Sequence, residues 1–290
     1  MMKVLITGCN GQVGHCLVQQ LSGKAQVLAL DVSGLDITDK DQVMTKVVEF
    51  EPDFIINAAA HTAVDKAESE EALSNAINCD GPRYLAEAAH SVGAVILHIS
   101  TDYVFEGNKK GQYNEDDVTN PQGVYGATKL SGELAVAQAC ARHIIIRTAW
   151  VFGEHGNNFV KTMLRLGKDR DELSIVSDQF GGPTFAGDIA AALIVIAKEI
   201  QAGNEEWGVY HFSGAPHVSW FEFSEVIFAQ AYNQGVIDHK LKLNAISTEQ
   251  YPTAAKRPEN SKLDCRKIKD TFGIEPSNWQ LAIKRIKEYQ

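Results

Sequence analysis

Lys3-Val4-Leu5-Ile6-Thr7-Gly8-Cys9-Asn10-Gly11-Gln12-Val13-Gly14 decides how the whole chain is read. Its first five residues form an apolar run without alternation, the pattern of a parallel strand buried on both faces. Three glycines follow at Gly-x-x-Gly-x-x-Gly spacing, and a helix-like stretch then runs to about Leu21. Glycines between a first strand and a first helix permit a tight turn and let backbone N–H groups approach a pyrophosphate. The spacing differs from Gly-x-Gly-x-x-Gly, so the same residues also suit a plain strand-to-helix turn.

Working outward, Gln26 to Leu30 reads as a second strand ending at Asp31. That acid, 17 residues past Gly14, is placed to accept hydrogen bonds from an adenosine ribose; a solvated strand-end aspartate is the alternative. No arginine follows to meet a 2′-phosphate, so NADH should be accepted at least as well as NADPH. At Asp36-Ile37 the chain could pass over an adenine. Asp39 to Phe50 reads as a helix stopped by Pro52, and Phe54 to Ile56 as a third strand leading into Asn57-Ala58-Ala59-Ala60-His61-Thr62. Small residues at the carboxyl end of a parallel strand let a flat ligand lie against the backbone. Ala72 to Ser91 suggests a helix, Ala94 to Ile99 a fourth strand, and His143 to Ile146 a fifth. The fourth ends in Ser100-Thr101-Asp102-Tyr103-Val104-Phe105, hydroxyls at the rim where ligands bind in open α/β folds, or caps for the next loop.

Between the fourth and fifth strands lies Gly123-Val124-Tyr125-Gly126-Ala127-Thr128-Lys129, continued as a helix to about Ala141. Tyr125 and Lys129 are four apart, so on a helix they share a face. An ammonium beside a phenol favours the phenolate and would make Tyr125 a usable acid near neutrality. In isolation, such a pair is equally a surface feature of an amphipathic helix.

Five strands alternating with helices specify an α/β fold with a doubly wound parallel Rossmann sheet. Helix Ala186 to Ile200 and strand Val209 to Phe212 read as a return to that sheet. The rest suggests a second, smaller α/β substrate-binding lobe. The expected division is 1–150 plus about 184–214 for the dinucleotide-binding domain, and about 151–183 plus 215–290 for the lobe. Asn158 opens a helix-like run after the turn formers Gly156 and Asn157, with Lys161 and Arg165 at helical spacing. It is either a diphosphate donor at a helix N-terminus or an ordinary helix cap.

Composition narrows the function classes. The chain is 44% hydrophobic and 22% charged, the usual globular balance. A formal net charge of −10 without a basic run argues against a nucleic-acid or acidic-membrane surface. No apolar run approaches the length of a membrane span, and the start enters a strand pattern without a signal peptide. Cys9, Cys16, Cys79, Cys140 and Cys265 are scattered, as expected of free thiols in a reducing cytoplasm. The nine histidines show no metal-ligand spacing.

With these motifs in order, the chain resembles the extended short-chain dehydrogenase/reductase superfamily and, within it, the dTDP-4-dehydrorhamnose reductase family. The resemblance rests on Gly8–Gly14, Asn57–Glu68, Ser100–Phe105, Tyr125–Lys129, Arg147–Gly153, Arg257-Pro258, Asn260-Ser261 and Leu263-Asp264. The Thr62–Glu68 and Ser100–Phe105 segments are the most specific of these. It implies reduction of the 4-keto group of a dTDP-4-dehydro-6-deoxy sugar with NADH or NADPH. It implies Tyr125 as proton donor, Lys129 as its partner on the nicotinamide ribose, and Thr101 as a donor to the carbonyl oxygen. Gly8, Gly11, Gln12, Val13 and Gly14 carry over to the cofactor loop. Asp31, Asp36, Ile37, Ala58, Ala59, Ala60, His61 and Thr62 carry over to the cofactor's two ends, and Asp102, Tyr103 and Trp150 to the sugar. Members that dimerise through magnesium have a glutamate where this chain has His15-Cys16. Neither metal nor magnesium-bridged dimer therefore carries over, while a homodimer of another kind stays open. Gly123 replaces an asparagine frequent in the superfamily two residues before the tyrosine. An epimerase or dehydratase on the same scaffold, and a non-catalytic regulatory subunit resembling that of methionine adenosyltransferase, are the competing readings.

Overall fold

The computed structural model describes residues 1–290. Its organising element is a six-stranded sheet whose members are β1 (Lys3–Thr7), β2 (Gln26–Leu30), β3 (Phe54–Asn57), β4 (Val95–Thr101), β5 (His143–Thr148) and β6 (Gly208–His211). Every pairing is parallel and the spatial order is β6-β5-β4-β3-β1-β2. The order reverses at β1, which has β2 on one side and β3 on the other, and a crevice opens beyond the carboxyl ends of the strands there.

The continuous apolar runs are explained by burial on both faces. Val4, Ile6, Phe54, Ile56, Val95, Leu97, Ile144 and Ile146 enter one core, covered by the helices Gln12–Leu21 and Ala186–Gln201. Their neighbours Leu5, Ile55, Ile96 and Ile145 enter the other, covered by Lys40–Phe50 and Gly81–Val92. Full burial of one such side chain contributes about 1.5–3 kcal/mol, so both faces of every strand hold the sheet between its two helix layers.

A third core gathers around Phe152, Phe223, Trp279 and Tyr289, between the helices Phe159–Asp169 and Trp220–Asn233. Strands Glu172–Val176 and Lys242–Ile246 form a separate parallel pair beside it. The helix Arg266–Phe272 packs elsewhere: Ile268 and Phe272 join Cys265 and Ile274 against the central sheet. The sequence grouping had placed this segment with the smaller lobe, but its apolar face is drawn to Tyr210 on β6.

Two boundaries differ from the sequence reading in a way that matters for the cleft. β4 and β5 run on through Ser100-Thr101 and Arg147-Thr148, whose polar side chains hide the strand pattern. The single helix expected over Ala72 to Ser91 is interrupted by a wide π turn at Ala76–Asp80. Asn78 in that turn receives the His61 N–H and donates to the His61 carbonyl and to Thr128 Oγ1. It thereby ties the segment after β3 to the Tyr125 helix.

Candidate active site

The glycine loop has the shape a dinucleotide pyrophosphate requires. Gly8 has φ +69°, and a Cβ there would overlap the backbone of Ala58 and Ala59; a Cβ on Gly14 would overlap the Gly8 carbonyl. Loop, β3 end and helix therefore approach more closely than any side chain allows. Gly11 is the N-cap of helix Gln12–Leu21 without a side-chain hydrogen bond, and no acidic residue occupies the first turn. The N–H groups around Gln12 and Val13 thus keep both their hydrogens and the positive end of the helix dipole for an anion. Asp31, at the end of β2, accepts from Asn10 Nδ2 (2.6 Å) and from the Ser33 hydroxyl and N–H. The Ser33 hydroxyl, chiefly, lowers its pKa, so it is a carboxylate at the loop tip.

Asp36 binds the Thr38 N–H and hydroxyl, and Ile37 is buried against Gly81. Both lie near the loop end of β2 as structural residues of that corner. Ala58, Ala59, Ala60, His61 and Thr62 follow β3 directly. The His61 ring turns away, with Nδ1 2.8 Å from Ser74 Oγ and Nε2 3.3 Å from Glu70.

The candidate reacting groups lie beyond β4. Tyr125 projects from the helix Val124–Ala139, and its ring meets Tyr103 edge to face with centroids 5.4 Å apart. Burial raises the Tyr125 pKa, Thr101 opposes this through a hydrogen bond, and Asp102 and Tyr103 reinforce it. The phenol therefore keeps its proton. Thr101 Oγ1 donates to Asp102 Oδ1 (3.1 Å) and accepts from the Tyr103 N–H. Asp102 is buried; desolvation pushes its pKa up to about 6, while the Ser261 and Thr101 hydroxyls pull it down.

Lys129 shares the Tyr125 face, as the spacing required. It is buried and bonded to the Ile99 carbonyl (2.7 Å), with His98 Nε2 3.3 Å away. In this ligand-free arrangement the Lys129 amine is engaged by β4, and burial holds the Tyr125 phenol above its ordinary value.

The catalytic helix is secured by residues that sequence reasoning passed over. Gly123 caps it without a side chain, and Glu68 Oε1 accepts the Val124 N–H (2.9 Å) instead. One turn past Lys129, Glu133 grips Arg147 of β5 through three hydrogen bonds and accepts from Ser100 of β4. Arg257, from the chain's last quarter, donates to Tyr103 Oη (3.2 Å) and to Asp65. The motif Thr62–Glu68 contained two of these residues, but only tertiary structure shows what they hold.

Trp150 has a left-handed φ of 50° and lies over Gly181, where any Cβ would strike the indole. It stacks on Trp220 with centroids 3.4 Å apart and planes at 7°. Asn158 caps helix Phe159–Asp169 by accepting from the Lys161 N–H, and its amide donates to Gln12 Oε1 (3.0 Å) and the Gly153 carbonyl (2.7 Å). Every arm of Asn158 is engaged within the protein, so the geometry favours the cap over the diphosphate donor. No group of three or more His, Cys, Asp or Glu side chains is placed to hold a metal ion. His15, after the glycine loop, stacks on His155.

Comparison with known proteins agrees with this geometry. The RmlD substrate binding domain family matches residues 2–290. The chain belongs to that family. A dTDP-4-dehydrorhamnose reductase of Aggregatibacter actinomycetemcomitans is 52% identical, over 100% of this chain and 99% of that one. Among solved structures, a dTDP-4-dehydrorhamnose reductase of Clostridium acetobutylicum superposes with a TM-score of 0.92 at 42% identity, over 99% of each chain. The Bacillus anthracis reductase, solved in complex with NADP, gives 0.92 at 37% identity over both whole chains. RmlD family membership thus coincides with a parallel sheet and a glycine cradle at its switch point. No helix of the chain is long and apolar enough to cross a membrane.

Proposed function

We propose that the chain reduces the 4-keto group of dTDP-4-dehydro-6-deoxy-L-mannose to give dTDP-L-rhamnose, using NADH or NADPH. The observation that carries this is the convergence of Thr101, Tyr125 and Lys129 at the strand ends beside an uncapped glycine cradle. The names of full-length relatives at 37–52% identity, one bound to NADP, support it.

The dinucleotide would be held by the Gly8–Gly14 loop, with Asp31 toward its adenosine ribose and Lys129 toward its nicotinamide ribose. When bound, the reduced nicotinamide supplies the hydride that the sugar C4 receives. The protein's part is to manage the oxygen. Thr101 would turn its single hydroxyl proton from Asp102 to the carbonyl, and Tyr125 would transfer its phenolic proton to that oxygen as charge develops there. Burial helps by keeping the phenol protonated until the carbonyl oxygen becomes basic enough to take the proton. Asp102, Tyr103 and Trp150 would line the sugar, and the core around Phe223 and Trp279 would belong to the substrate-binding lobe. Five unpaired cysteines suit a cytoplasmic site of action.

The test is incubation of the pure protein with dTDP-4-dehydro-6-deoxy-L-mannose and NADH, then NADPH. Consumption of one equivalent of reduced nicotinamide per equivalent of dTDP-L-rhamnose formed is the expected result. An epimerised product with no net loss of reduced cofactor would overturn it.

A further inference from the structure

Behind the reacting groups runs a buried chain of four side chains: Thr7 on β1, Asn57 on β3, His98 on β4 and Lys129 on the catalytic helix. Thr7 Oγ1 donates to Asn57 Oδ1 (2.7 Å), Asn57 Nδ2 meets His98 Nδ1 (3.0 Å), and His98 Nε2 faces Lys129 Nζ (3.3 Å). Hydrogen-bond bookkeeping along this chain leaves one solution. The Ala59 backbone N–H, which can only donate, also points at Asn57 Oδ1 (3.1 Å). That fixes which end of the amide is oxygen, so Nδ2 must be the atom that donates to His98 Nδ1. Nδ1 is then an acceptor, and the ring proton of a neutral imidazole sits on Nε2. An Nε2–H facing an amine nitrogen can bond only to a lone pair, which an ammonium lacks.

We propose that His98 is a positioning residue that holds Lys129 as a neutral, hydrogen-bond-accepting amine in the ligand-free protein, with the Asn57 amide fixing the imidazole tautomer. One amine hydrogen goes to the Ile99 carbonyl, and the lone pair receives His98. The charged state of Lys129 then requires the His98 contact to open. The amine is thus released toward the cleft when it takes up a proton.

The surroundings agree. Burial brings the Lys129 pKa down to about 8, with Glu133 opposing, so the neutral amine is the prevailing form above that pH. Burial, before anything else, holds His98 far below its ordinary value, so the ring is neutral. Of the other groups, Glu133 on the same helix is neutralised by Arg147 of β5, Tyr125 lies one turn earlier, and the partners on β1 and β3 are uncharged. The consequence for catalysis rests on the reductase reading; the tautomer and the neutral amine do not.

The experiment is nitrogen-detected NMR, across a titration from about pH 6 to about pH 10 that brackets the Lys129 midpoint, of the ligand-free protein labelled with 15N in its histidine rings and lysine amines. The His98 signal is assigned by its loss in His98→Phe, or by its displacement in Lys129→Met should the first variant not fold. A neutral ring protonated at Nε2 is expected in the wild type. A ring protonated at Nδ1, or a doubly protonated one, would overturn the proposal. Removing the Nε2–H donor in His98→Phe destabilises the neutral amine, so the Lys129 titration midpoint should rise by about one pH unit, a tenfold change. An unchanged midpoint in the folded variant would also overturn it. No turnover is measured, so failure here and failure of the reductase assay are separate results.

Discussion

Asp65 and Arg257, 192 residues apart in the chain, are joined in an ion pair directly over Tyr103. Asp65 also accepts the Ala255 N–H (3.0 Å), so one carboxylate pins the strap Ala255–Arg257 beside Tyr103. A partly exposed pair of this kind contributes about 0.2–1 kcal/mol to stability. Its larger effect should fall on the sugar side of the site. Asp65→Asn is expected to leave the melting temperature nearly unchanged while raising KM for the nucleotide sugar about tenfold, equivalent to about 1.4 kcal/mol. Steady-state kinetics with each substrate varied in turn checks this. An unaltered sugar KM would show the strap to be only a tether.

Tyr125→Phe removes the proton donor and keeps the ring that packs against Tyr103. Turnover should fall by roughly 10²-fold or more, with the dissociation constant for reduced nicotinamide dinucleotide little changed. Near-wild-type turnover would exclude Tyr125 as the acid.

Asp102 carries a definite pH signature. Its pKa is about 6 in the folded protein against an ordinary 3.8, so the folded state binds the extra proton between those values. Stability therefore falls as pH rises through that window and stays reduced above pH 6. Asp102→Asn escapes the cost: it should be more stable than the wild type at pH 7 by up to about 3 kcal/mol. That advantage should vanish below about pH 4. Urea unfolding at the two pH values measures both, and an equal advantage at each would show that carboxylate desolvation is not the cause.

Asp31→Ala should weaken NADH more than NADPH, because it deletes a ribose acceptor and relieves repulsion of a 2′-phosphate. The same change frees Asn10, which Asp31 holds at the loop tip. Fluorescence titration with both cofactors separates the roles. Equal weakening would mean that Asp31 acts by anchoring the loop.

Asn158→Ala should destabilise the protein by about 1 kcal/mol through the lost helix cap, with KM for the nucleotide sugar unchanged. A raised KM at normal melting temperature would return the diphosphate role to Asn158.

The sheet was legible because burial on both faces leaves a plain mark, runs such as Val4–Ile6 and Ile144–Ile146. The shared helix of Tyr125 and Lys129 was legible because their spacing is local. What escaped was whatever depends on distance in the chain. Glu68 caps a helix 56 residues away, and a carboxylate in a short polar segment does not announce that task. His98 sits in mid-strand, where its place in an apolar run reads as core. Only the third dimension turns it toward Lys129. The π turn at Asn78 was hidden for a similar reason: helical periodicity continues through it, and the widening serves contacts with His61 and Thr128. Asn158 shows an ambiguous signal: its position suits an anion or a cap, and only the fold reveals its bonds to Lys161, Gln12 and Gly153.

The stacked indoles of Trp150 and Trp220 have a consequence for observation. Two aromatic chromophores lying flat on each other at 3.4 Å share their electronic excitations and rotate near-ultraviolet light as one coupled dimer. Trp150 comes from the turn after β5 and Trp220 opens the helix Trp220–Asn233, so the dimer bridges the sheet and the neighbouring core. Circular dichroism of the unlabelled protein will therefore register any ligand or motion that parts the two rings.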